Sequence, residues 1–238
     1  MKSAIVVGAS SGIGRELAKL LSQNGYQLGL TARRYDLLES LQQELPQSSV
    51  IKKMDVSEAS DAMRQMNELI NELEGVELII ISAGTGAINL ELDWQKEADT
   101  IETNVVGFAA VANVAVGHFT QQGFGHLVGI SSIAALRGSD ASPAYYASKA
   151  FQSNYLQGLR KKMAKLRLPV TITDVQPGLV DTAMAQGEGL FWVAPSEKAA
   201  QQIYKAISKK KAHVYITKRW RLIAWLMKVM PTSLYNKM

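Results

Sequence analysis

The stretch Val7-Gly8-Ala9-Ser10-Ser11-Gly12-Ile13-Gly14 joins an apolar run of strand length to a segment with helical periodicity. Glycines at such a turn let the backbone approach a ligand closely, and the helix that follows offers free N–H groups and its positive dipole end. This order indicates a site for the pyrophosphate of a dinucleotide. The spacing is GxxxGxG rather than the commoner GxGxxG, and an ordinary glycine-rich turn is the alternative interpretation. The predicted phosphate-binding residues are Gly8, Ser10, Ser11, Gly12, Ile13 and Gly14.

Outward from this stretch, apolar runs of strand length alternate with segments of helix length. Strands that are apolar on both faces and separated by helices predict a parallel sheet covered on both sides. No linker or repeat divides the chain, so the predicted fold is a single doubly wound α/β domain of the Rossmann type over residues 1–238. The predicted strands are Ala4–Val7, Gln27–Ala32, Val50–Met54, Val76–Ser82, Gly125–Ser131, Val170–Val175 and Ala212–Thr217. The predicted helices are Ile13–Gln23, Tyr35–Leu45, a helix after the N-cap Ser57, Leu92–Gln121, Pro143–Leu168 and Ser196–Lys209.

The composition of the 238 residues excludes several classes of protein. With 47% hydrophobic and 20% charged residues the chain is not disordered, and without cysteine it has no disulfide framework or thiolate site. His118, His126 and His213 lack ligand-like spacing, so we predict no metal site. The first apolar run is short, and no stretch of about 18 apolar residues occurs, so we expect a cytoplasmic protein without a membrane-spanning helix.

The net charge of +5 is unevenly distributed along the chain. From Lys198 to Met238 there are ten Lys and Arg residues and no Asp or Glu, which leaves 16 of the 26 basic residues and all 21 acidic residues in the first 197 positions. This asymmetry raises nucleic acid and membrane as partner classes. The basic tail is rich in aliphatic side chains and accompanies no nucleic-acid-binding motif, so we predict no nucleic-acid partner.

The end of the second predicted strand carries information on the cofactor. It reads Thr31-Ala32-Arg33-Arg34, and no acidic residue occurs before Asp36. An acidic side chain at this edge binds the ribose 2′-hydroxyl of NAD, whereas arginine accommodates the 2′-phosphate of NADP. The sequence therefore predicts NADP(H), with Arg33 favoured over Arg34 for the phosphate. Two solvated loop arginines are the alternative.

Residues that suit proton-transfer chemistry follow several of the later strands. Tyr145 and Lys149 are four residues apart and share one face of the predicted Pro143–Leu168 helix. Ser131-Ser132 ends the fifth strand and Pro177-Gly178 follows the sixth, both at carboxyl ends, where ligands bind in such sheets.

With these motifs in this order, the sequence resembles the soluble short-chain dehydrogenase/reductase family of roughly 250 residues, from Lys2 to about Thr217. The resemblance implies an oxidoreductase that interconverts a carbonyl and an alcohol, and a seven-stranded sheet in the order 3-2-1-4-5-6-7. One departure is Ser82, where the family pattern Asn-Asn-Ala-Gly has its second asparagine. The matching motifs are Val7 to Gly14, Asp55-Val56, Ser82-Ala83-Gly84, Asn104-Val105-Val106-Gly107, Ser131-Ser132, Tyr145-Tyr146-Ala147-Ser148-Lys149 and Pro177-Gly178-Leu179-Val180-Asp181-Thr182.

The resemblance also implies roles for individual residues. Tyr145 matches the general acid/base, and Ser132 the residue that binds the substrate oxygen. Lys149 matches the residue that holds the nicotinamide ribose, and Asn104 the one that positions a water beside it. The Lys149 ammonium and the nicotinamide ring of the oxidised cofactor are expected to lower the pKa of the Tyr145 phenol below its usual value of roughly 10. Further cofactor contacts implied by the resemblance are Asp55, Val56, Ala83, Gly84, Pro177, Gly178, Val180 and Thr182.

Family members form dimers or tetramers through the helices that carry the matches to Asn104 and Tyr145, so a homodimer or homotetramer is expected. Residues 183–195 match the family's substrate lid, and their apolar side chains indicate an apolar or amphipathic substrate. Packing into the core or against another subunit is the alternative. The predicted substrate contacts are Ser132, Tyr145, Met184, Phe191 and Trp192.

Residues 218–238 form a basic and apolar C-terminal extension in which Lys218–Met230 has the composition of a helix. Three interpretations stay open for it: packing on the body or on a partner subunit, lying on an anionic membrane, or lining a substrate tunnel. The alternative function is a membrane-surface or regulatory protein that keeps the fold and the cofactor but has little turnover.

Overall fold

The computed structural model describes residues 2–182 and 192–235, and it confirms the predicted fold. Seven parallel strands form one sheet in the order β3-β2-β1-β4-β5-β6-β7, as expected. The strands are β1 (Lys2–Val7), β2 (Tyr26–Ala32), β3 (Ser49–Lys53), β4 (Leu78–Ile81), β5 (Gly125–Ile130), β6 (Val170–Pro177) and β7 (His213–Ile216). The helices are α1 (Gly12–Gln23), α2 (Tyr35–Glu44), α3 (Ala59–Glu72), α4 (Trp94–Ile101), α5 (Phe108–Gln122), α6 (Pro143–Leu166), α7 (Ser196–Ser208), α8 (Trp220–Val229) and α9 (Thr232–Tyr235).

The sheet separates the core into two apolar layers. Successive side chains of β1 point to opposite faces. Ile5 packs in the layer that contains Phe108 of α5, and Val6 packs in the layer that contains Leu17 of α1 and Ile203 of α7. Because both faces are covered, β1 is apolar from Ala4 to Val7, which is why this part of its sequence shows no alternation.

The order of the strands determines where a crevice opens at the carboxyl edge of the sheet. β1 pairs with β2 on one side and with β4 on the other, so Val7 is aligned with both Thr31 and Ile81. The connections turn in opposite directions from this point, and a crevice opens beyond the carboxyl ends of β1 and β4. The glycine-rich turn after Val7 lies at this crevice.

The start of α3 differs from the prediction that Ser57 caps it. The helix begins at Ala59 with Glu58 in the N-cap position. The N–H and the hydroxyl of Ser57 instead donate to Oδ1 of Asp55, at 3.0 and 2.8 Å. A local bond to a neighbouring carboxylate competes with the capping bond, and here it holds Asp55 in place.

The long predicted helix Leu92–Gln121 is continuous but not α-helical throughout. α4 and α5 are joined by a π-helical segment, Glu102–Gly107. Together they are long and apolar enough to cross a membrane by length and composition. However, more than half of the most apolar part is buried, with Phe108 and Phe119 in the core, as in the central helix of a soluble protein.

Candidate active site

A cavity of about 1070 Å³ runs along the carboxyl edge of the sheet from the glycine-rich turn to α8. Almost all of the predicted cofactor and catalytic residues within the described ranges line it, whereas Gly14 and Asn104 lie behind its wall. The predicted residues that line the cavity are Gly8, Ser10, Ser11, Gly12, Ile13, Arg33, Arg34, Asp55, Val56, Ala83, Gly84, Ser132, Tyr145, Lys149, Pro177, Gly178, Val180 and Thr182.

The glycine-rich turn is closely packed against its neighbours. The N–H groups of Gly8 and Ala9 donate to the carbonyl of Thr31 at 2.8 and 3.0 Å. Gly8 has a φ of +87°, which residues with a Cβ rarely adopt. A Cβ on Gly14 would overlap the Gly8 carbonyl. The turn therefore requires glycine at both positions and brings the first N–H groups of α1 to the cavity.

Two arginines follow β2 at the same end of the cavity. Nη2 of Arg34 donates to the hydroxyls of Ser10 and Ser11, at 3.0 and 2.7 Å, so its guanidinium lies over the glycine-rich turn. Arg33 is mostly exposed, with Nη1 3.9 Å from Oδ2 of Asp55. Both guanidinium groups thus face the end of the cavity where a dinucleotide phosphate would lie.

Tyr145, Ser132 and Lys149 converge at the centre of the cavity. The Ser132 hydroxyl interacts with the Tyr145 phenol and lowers its pKa, and Nζ of Lys149 lies 5.8 Å from the centre of the Tyr145 ring. The Ser132 hydroxyl also accepts a bond from the N–H of Ala134, at 3.1 Å, so the turn after β5 fixes its position. The structure thereby brings together the three residues that the sequence grouped.

The surrounding protein raises the pKa of the Tyr145 phenol above its ordinary value, whereas the expected lowering also depends on the charge of an oxidised nicotinamide and stays a prediction. Burial is the largest cause, because it disfavours the phenolate, and the bond to Ser132 opposes it only in part. The ammonium of Lys149 points away from the phenol, since Nζ donates to the carbonyl of Ile130 at 3.1 Å and to Oε1 of Gln152 at 3.0 Å.

Lys149 is a buried cation with few solvent contacts. Burial lowers the pKa of its ammonium group to about 8, and the carboxylate of Asp174 offsets part of that change. The two hydrogen bonds to Ile130 and Gln152 leave one N–H of the ammonium for a ligand in the cavity.

Asn104 lies in the π-helical segment and is fully buried. Its side chain binds the main chain of Thr85 in both directions, at 2.9 and 2.7 Å, and donates to the hydroxyl of Ser148 at 3.0 Å. Its main-chain carbonyl accepts a bond from Nε2 of Gln152 at 2.9 Å. Asn104 therefore fastens the loop after β4 to α6, and Gln152 connects it to Lys149.

Ser131, the neighbour of Ser132, belongs to a separate buried network. Its hydroxyl donates to Oδ1 of Asp174, while Ser153 and Gln176 donate to Oδ2 at 2.7 and 3.1 Å. Three donors satisfy the buried carboxylate. The network joins β5, β6 and α6 behind the cavity, which agrees with a structural part for Ser131.

Sequence reasoning missed Gln152 and Gly86. Gln152 lies one helical turn after Lys149, so that spacing was the available signal. Gly86 lies in the loop after β4, and a Cβ on Gly86 would overlap the ring of Tyr145. No sequence pattern links Gly86 to Tyr145, because their contact depends on the completed fold.

Part of the predicted substrate end lies outside the described ranges. This applies to Met184, Phe191 and most of the predicted lid, 183–195. Trp192 is described: its ring meets that of Trp220 edge to face, with the centres 6.2 Å apart. Trp192 is not among the described residues that line the cavity. Within residues 2–182 and 192–235, no group of three or more His, Asp or Glu side chains is arranged to hold a metal ion.

Comparison with known proteins identifies relatives over nearly the whole chain. The family described as short chain dehydrogenase matches residues 2–190. An uncharacterized oxidoreductase of Myxococcus xanthus is 30% identical, covering 99% of this chain and 95% of that protein. An uncharacterized oxidoreductase of Staphylococcus aureus is 33% identical over 77% of this chain and 80% of its own length.

Solved structures share the fold at lower sequence identity. A short-chain type dehydrogenase/reductase from Mycobacterium ulcerans superposes with a TM-score of 0.80 at 22% identity, over 90% of this chain and 87% of that one. An alcohol dehydrogenase from the archaeon Thermococcus sibiricus, complexed with 5-hydroxy-NADP, gives 0.79 at 22% identity, over 91% and 96%.

Proposed function

The chain belongs to the short-chain dehydrogenase/reductase family, and we propose that it is an NADP(H)-dependent oxidoreductase that interconverts a carbonyl compound and an alcohol. One observation carries the proposal. Ser132, Tyr145 and Lys149 meet in a single cavity that begins at a glycine-rich turn of the kind that binds dinucleotides. A protein that only kept the fold would have no need of this set of proton donors.

The residues at the carboxyl edge of β1 and β2 fit a dinucleotide phosphate. A Cβ at Gly12 would press on the side chain of Thr182, so the cradle stays open only with glycine. Arg33 and Arg34 add two cations at the position where the 2′-phosphate of NADP is bound in this fold. The bound nicotinamide would supply the hydride chemistry. The complex of the Thermococcus sibiricus relative with an NADP analogue supports the same choice.

The protein's own residues would hold and protonate the substrate oxygen. The side chains of Ser132 and Tyr145 interact at the cavity wall, and a carbonyl oxygen bound between their two hydroxyls would accept a hydrogen bond from each. Tyr145 would donate its phenolic proton to that oxygen in reduction and take a proton from the alcohol in oxidation. The raised pKa keeps the phenol protonated at neutral pH, which is the form that reduction requires. Lys149 would bind the ribose hydroxyls through its remaining N–H.

The substrate end of the cavity supports an apolar or amphipathic substrate. Its polar groups are concentrated at the catalytic centre, and apolar side chains form the wall beyond Tyr145. The described residues of that wall include Ile88, Ile133, Leu179, Ile223 and Met227. Residues 183–195 are proposed as a lid over this end.

We also propose a homodimer or homotetramer in the cytoplasm. The helical segments around Asn104 expose Ile101 and Val106, which suits a subunit interface. The lack of cysteine suits a reducing compartment. Light scattering of the purified protein measures the oligomeric state, and a monomer contradicts this part of the proposal.

The decisive experiment measures NADPH oxidation across a panel of aldehydes, ketones and 3-oxoacyl thioesters, and repeats it with NADH. We expect turnover with at least one carbonyl class and a higher kcat/KM with NADPH. A preference for NADH would overturn the cofactor assignment. Absence of turnover, together with intact NADPH binding, would favour a protein that keeps the cofactor without catalysis.

A further inference from the structure

Helix α8 is apolar on two opposite sides. Its inner side contributes Trp220 and Ala224 to the protein interior, and Ile223 and Met227 line the large cavity. Its outer side carries four large apolar residues that are 46–71% exposed. These four residues, which we call the outer face, are Leu222, Trp225, Leu226 and Val229.

The outer face is held in a fixed position on the body. Nε and Nη2 of Arg137 donate to the carbonyls of Met227 and Met230, at 2.9 and 2.6 Å, and so satisfy the C-terminal end of α8. The Tyr235 hydroxyl donates to the carbonyl of Gly138 at 2.5 Å. The exposure of the outer face is therefore a property of the docked helix and does not result from fraying.

Positive charge surrounds one flank of α8. Arg221 and Lys228 are exposed on the helix, and Nζ of Lys228 lies 5.9 Å from the centre of the Tyr215 ring. Tyr215 also lines a second cavity, of about 270 Å³, between α7 and β7. Four lysines line that cavity, which we call the lysine cavity: Lys205, Lys209, Lys211 and Lys218.

We propose that the outer face and the lysine cavity together dock the protein on an anionic lipid bilayer. Apolar side chains with a tryptophan and flanking cations suit the boundary between acyl chains and headgroups. The lysines would bind headgroup phosphates, and no acidic residue of the segment 198–238 opposes them.

A second copy of the chain fits this surface poorly. A two-fold symmetric contact with α8 antiparallel to its equivalent would place Arg221 of each copy near Lys228 of the other, with no carboxylate in this segment to neutralise them. Like charges in a contact oppose association. A nucleic acid would match the charge but leave the apolar outer face uncovered. A lipid surface matches both properties.

The proposal deepens the proposed function and rests on it in one respect. Because Ile223 and Met227 of the same helix line the large cavity, docking would hold the substrate end close to the bilayer. The substrate class would then be an amphipathic carbonyl compound dissolved in the membrane. The docking itself requires no turnover and is measured without a substrate.

Sedimentation with vesicles tests the docking surface. The full-length protein is mixed with vesicles of phosphatidylcholine alone or with added phosphatidylglycerol, at low and high salt. We expect binding only to the anionic vesicles, and weaker binding at high salt. Replacing Leu222 and Trp225 by serine should abolish binding, and each of Lys205→Gln, Lys209→Gln and Lys211→Gln should weaken it about fivefold.

Control variants on α6 distinguish binding through this surface from non-specific effects of positive charge or of exposed apolar side chains. Lys161, Lys162 and Lys165 are exposed and basic, and Leu166 is an exposed leucine. Replacing these lysines by glutamine, or Leu166 by serine, should leave vesicle binding unchanged. Equal loss in both sets, or no binding to anionic vesicles, overturns the proposal. Conversion of an oligomer to a monomer by Trp225→Ser would assign the outer face to a second copy instead.

A soluble, short-chain aldehyde assayed without vesicles keeps the two proposals distinguishable. The Leu222→Ser/Trp225→Ser variant should turn over this aldehyde like the wild type, because both side chains point away from the large cavity. Loss of lipid binding with retained turnover leaves the proposed function intact. Turnover absent in the wild type, with vesicle binding present, would reject the enzyme and keep the docking surface.

Discussion

The side-chain amide of Gln152 connects the main-chain carbonyl of Asn104 to the ammonium of Lys149, with N–O distances of 2.9 and 3.0 Å. All three residues are buried. The amide donates to the carbonyl with its nitrogen and accepts from the ammonium with its oxygen, so its orientation is fixed by both partners. The side chain of Gln152 therefore joins the π-helical segment to Lys149.

Substitution of Gln152 should change the pH dependence of NADPH binding. Gln152→Leu removes an acceptor from the buried ammonium, whose pKa of about 8 should fall further, so NADPH affinity is lost at a lower pH. Gln152→Glu places a negative charge there and should move the loss to a higher pH. Fluorescence titration with NADPH across pH measures the midpoints. Three identical midpoints would show that Gln152 only fills space.

Replacing Tyr145 by phenylalanine should separate binding from chemistry. The ring and its packing stay, but the proton donor is lost, so we expect turnover to fall by about 10²–10⁴-fold. The dissociation constant for NADPH should stay within about threefold, because the phenol would face the substrate. Tyr146→Phe, on the adjacent ring, is the matched control and should retain turnover. A Tyr145→Phe enzyme with wild-type kcat contradicts the assigned role.

A methyl group at Gly86 should misplace the catalytic ring. The added Cβ would overlap the Tyr145 side chain, so Gly86→Ala should lower kcat by more than about tenfold, since catalysis depends on precise placement of the reacting groups. Gly138→Ala is the control, because nothing lies within 4 Å of its added Cβ. Steady-state kinetics and urea unfolding of both variants are the measurements. An unchanged kcat in Gly86→Ala would show that the Tyr145 ring can shift to accommodate the methyl group without loss of catalysis.

The two arginines after β2 should both contribute to the preference for NADPH over NADH. Arg34→Ala removes a guanidinium that is bonded to the glycine-rich turn, and Arg33→Ala removes one that lies near Asp55. We expect each change to raise KM for NADPH at least about tenfold while KM for NADH stays nearly constant. Equal changes with the two cofactors would indicate a structural role.

Acid should destabilise the protein through His126. Burial lowers the pKa of its imidazole to about 4, and its Nε2 lies 2.7 Å from the Thr173 hydroxyl, which donates to the carbonyl of Lys211. The unfolded histidine, with its higher pKa, binds the proton more readily, so stability is complete above about pH 6.5 and is lost as the pH falls toward 4. The loss should be on the order of 2–3 kcal/mol in urea unfolding.

His126→Gln tests this source of the pH dependence. Glutamine can donate to Thr173 but does not titrate, so the acid-dependent loss should shrink in the variant. An unchanged pH profile would assign the acid sensitivity to other groups. The control is His118→Gln, which makes the same substitution at a partly buried histidine of α5. This variant should keep the acid-dependent loss of stability.

The sequence was sufficient to predict the positions of the seven strands, because most contain a buried apolar run, such as Ala4–Val7 in β1 and Leu78–Ile81 in β4. The order of the strands came from the family resemblance. The predicted strand ends agree with the structure to within about two residues. The cavity lining was predictable for the same reason, since most of its residues follow a strand or belong to the glycine-rich turn. The limits lay in contacts between distant segments. Gln152 and Asn104 are 48 positions apart, and only the packing of α6 on the π-helical segment brings them together.

The N-cap of α3 was predicted wrongly because of a contact between residues close in sequence. Ser57 has a suitable side chain for an N-cap, but Asp55, two residues earlier, takes its hydroxyl. The residue types alone do not show whether the Ser57 hydroxyl caps α3 or donates to Asp55.

The π-helical segment makes the number of residues between α4 and α5 part of the site. A π-turn holds about one residue more than the α-turn it replaces. Deleting one residue from 102–107 would let α4 and α5 merge into one α-helix with little rotation between them, but it would remove the wide turn that carries Asn104. The Asn104 carbonyl would then turn away from Gln152 although no site residue had been substituted. We therefore expect a one-residue deletion at this point to disturb the site as much as the substitution of one of its side chains would.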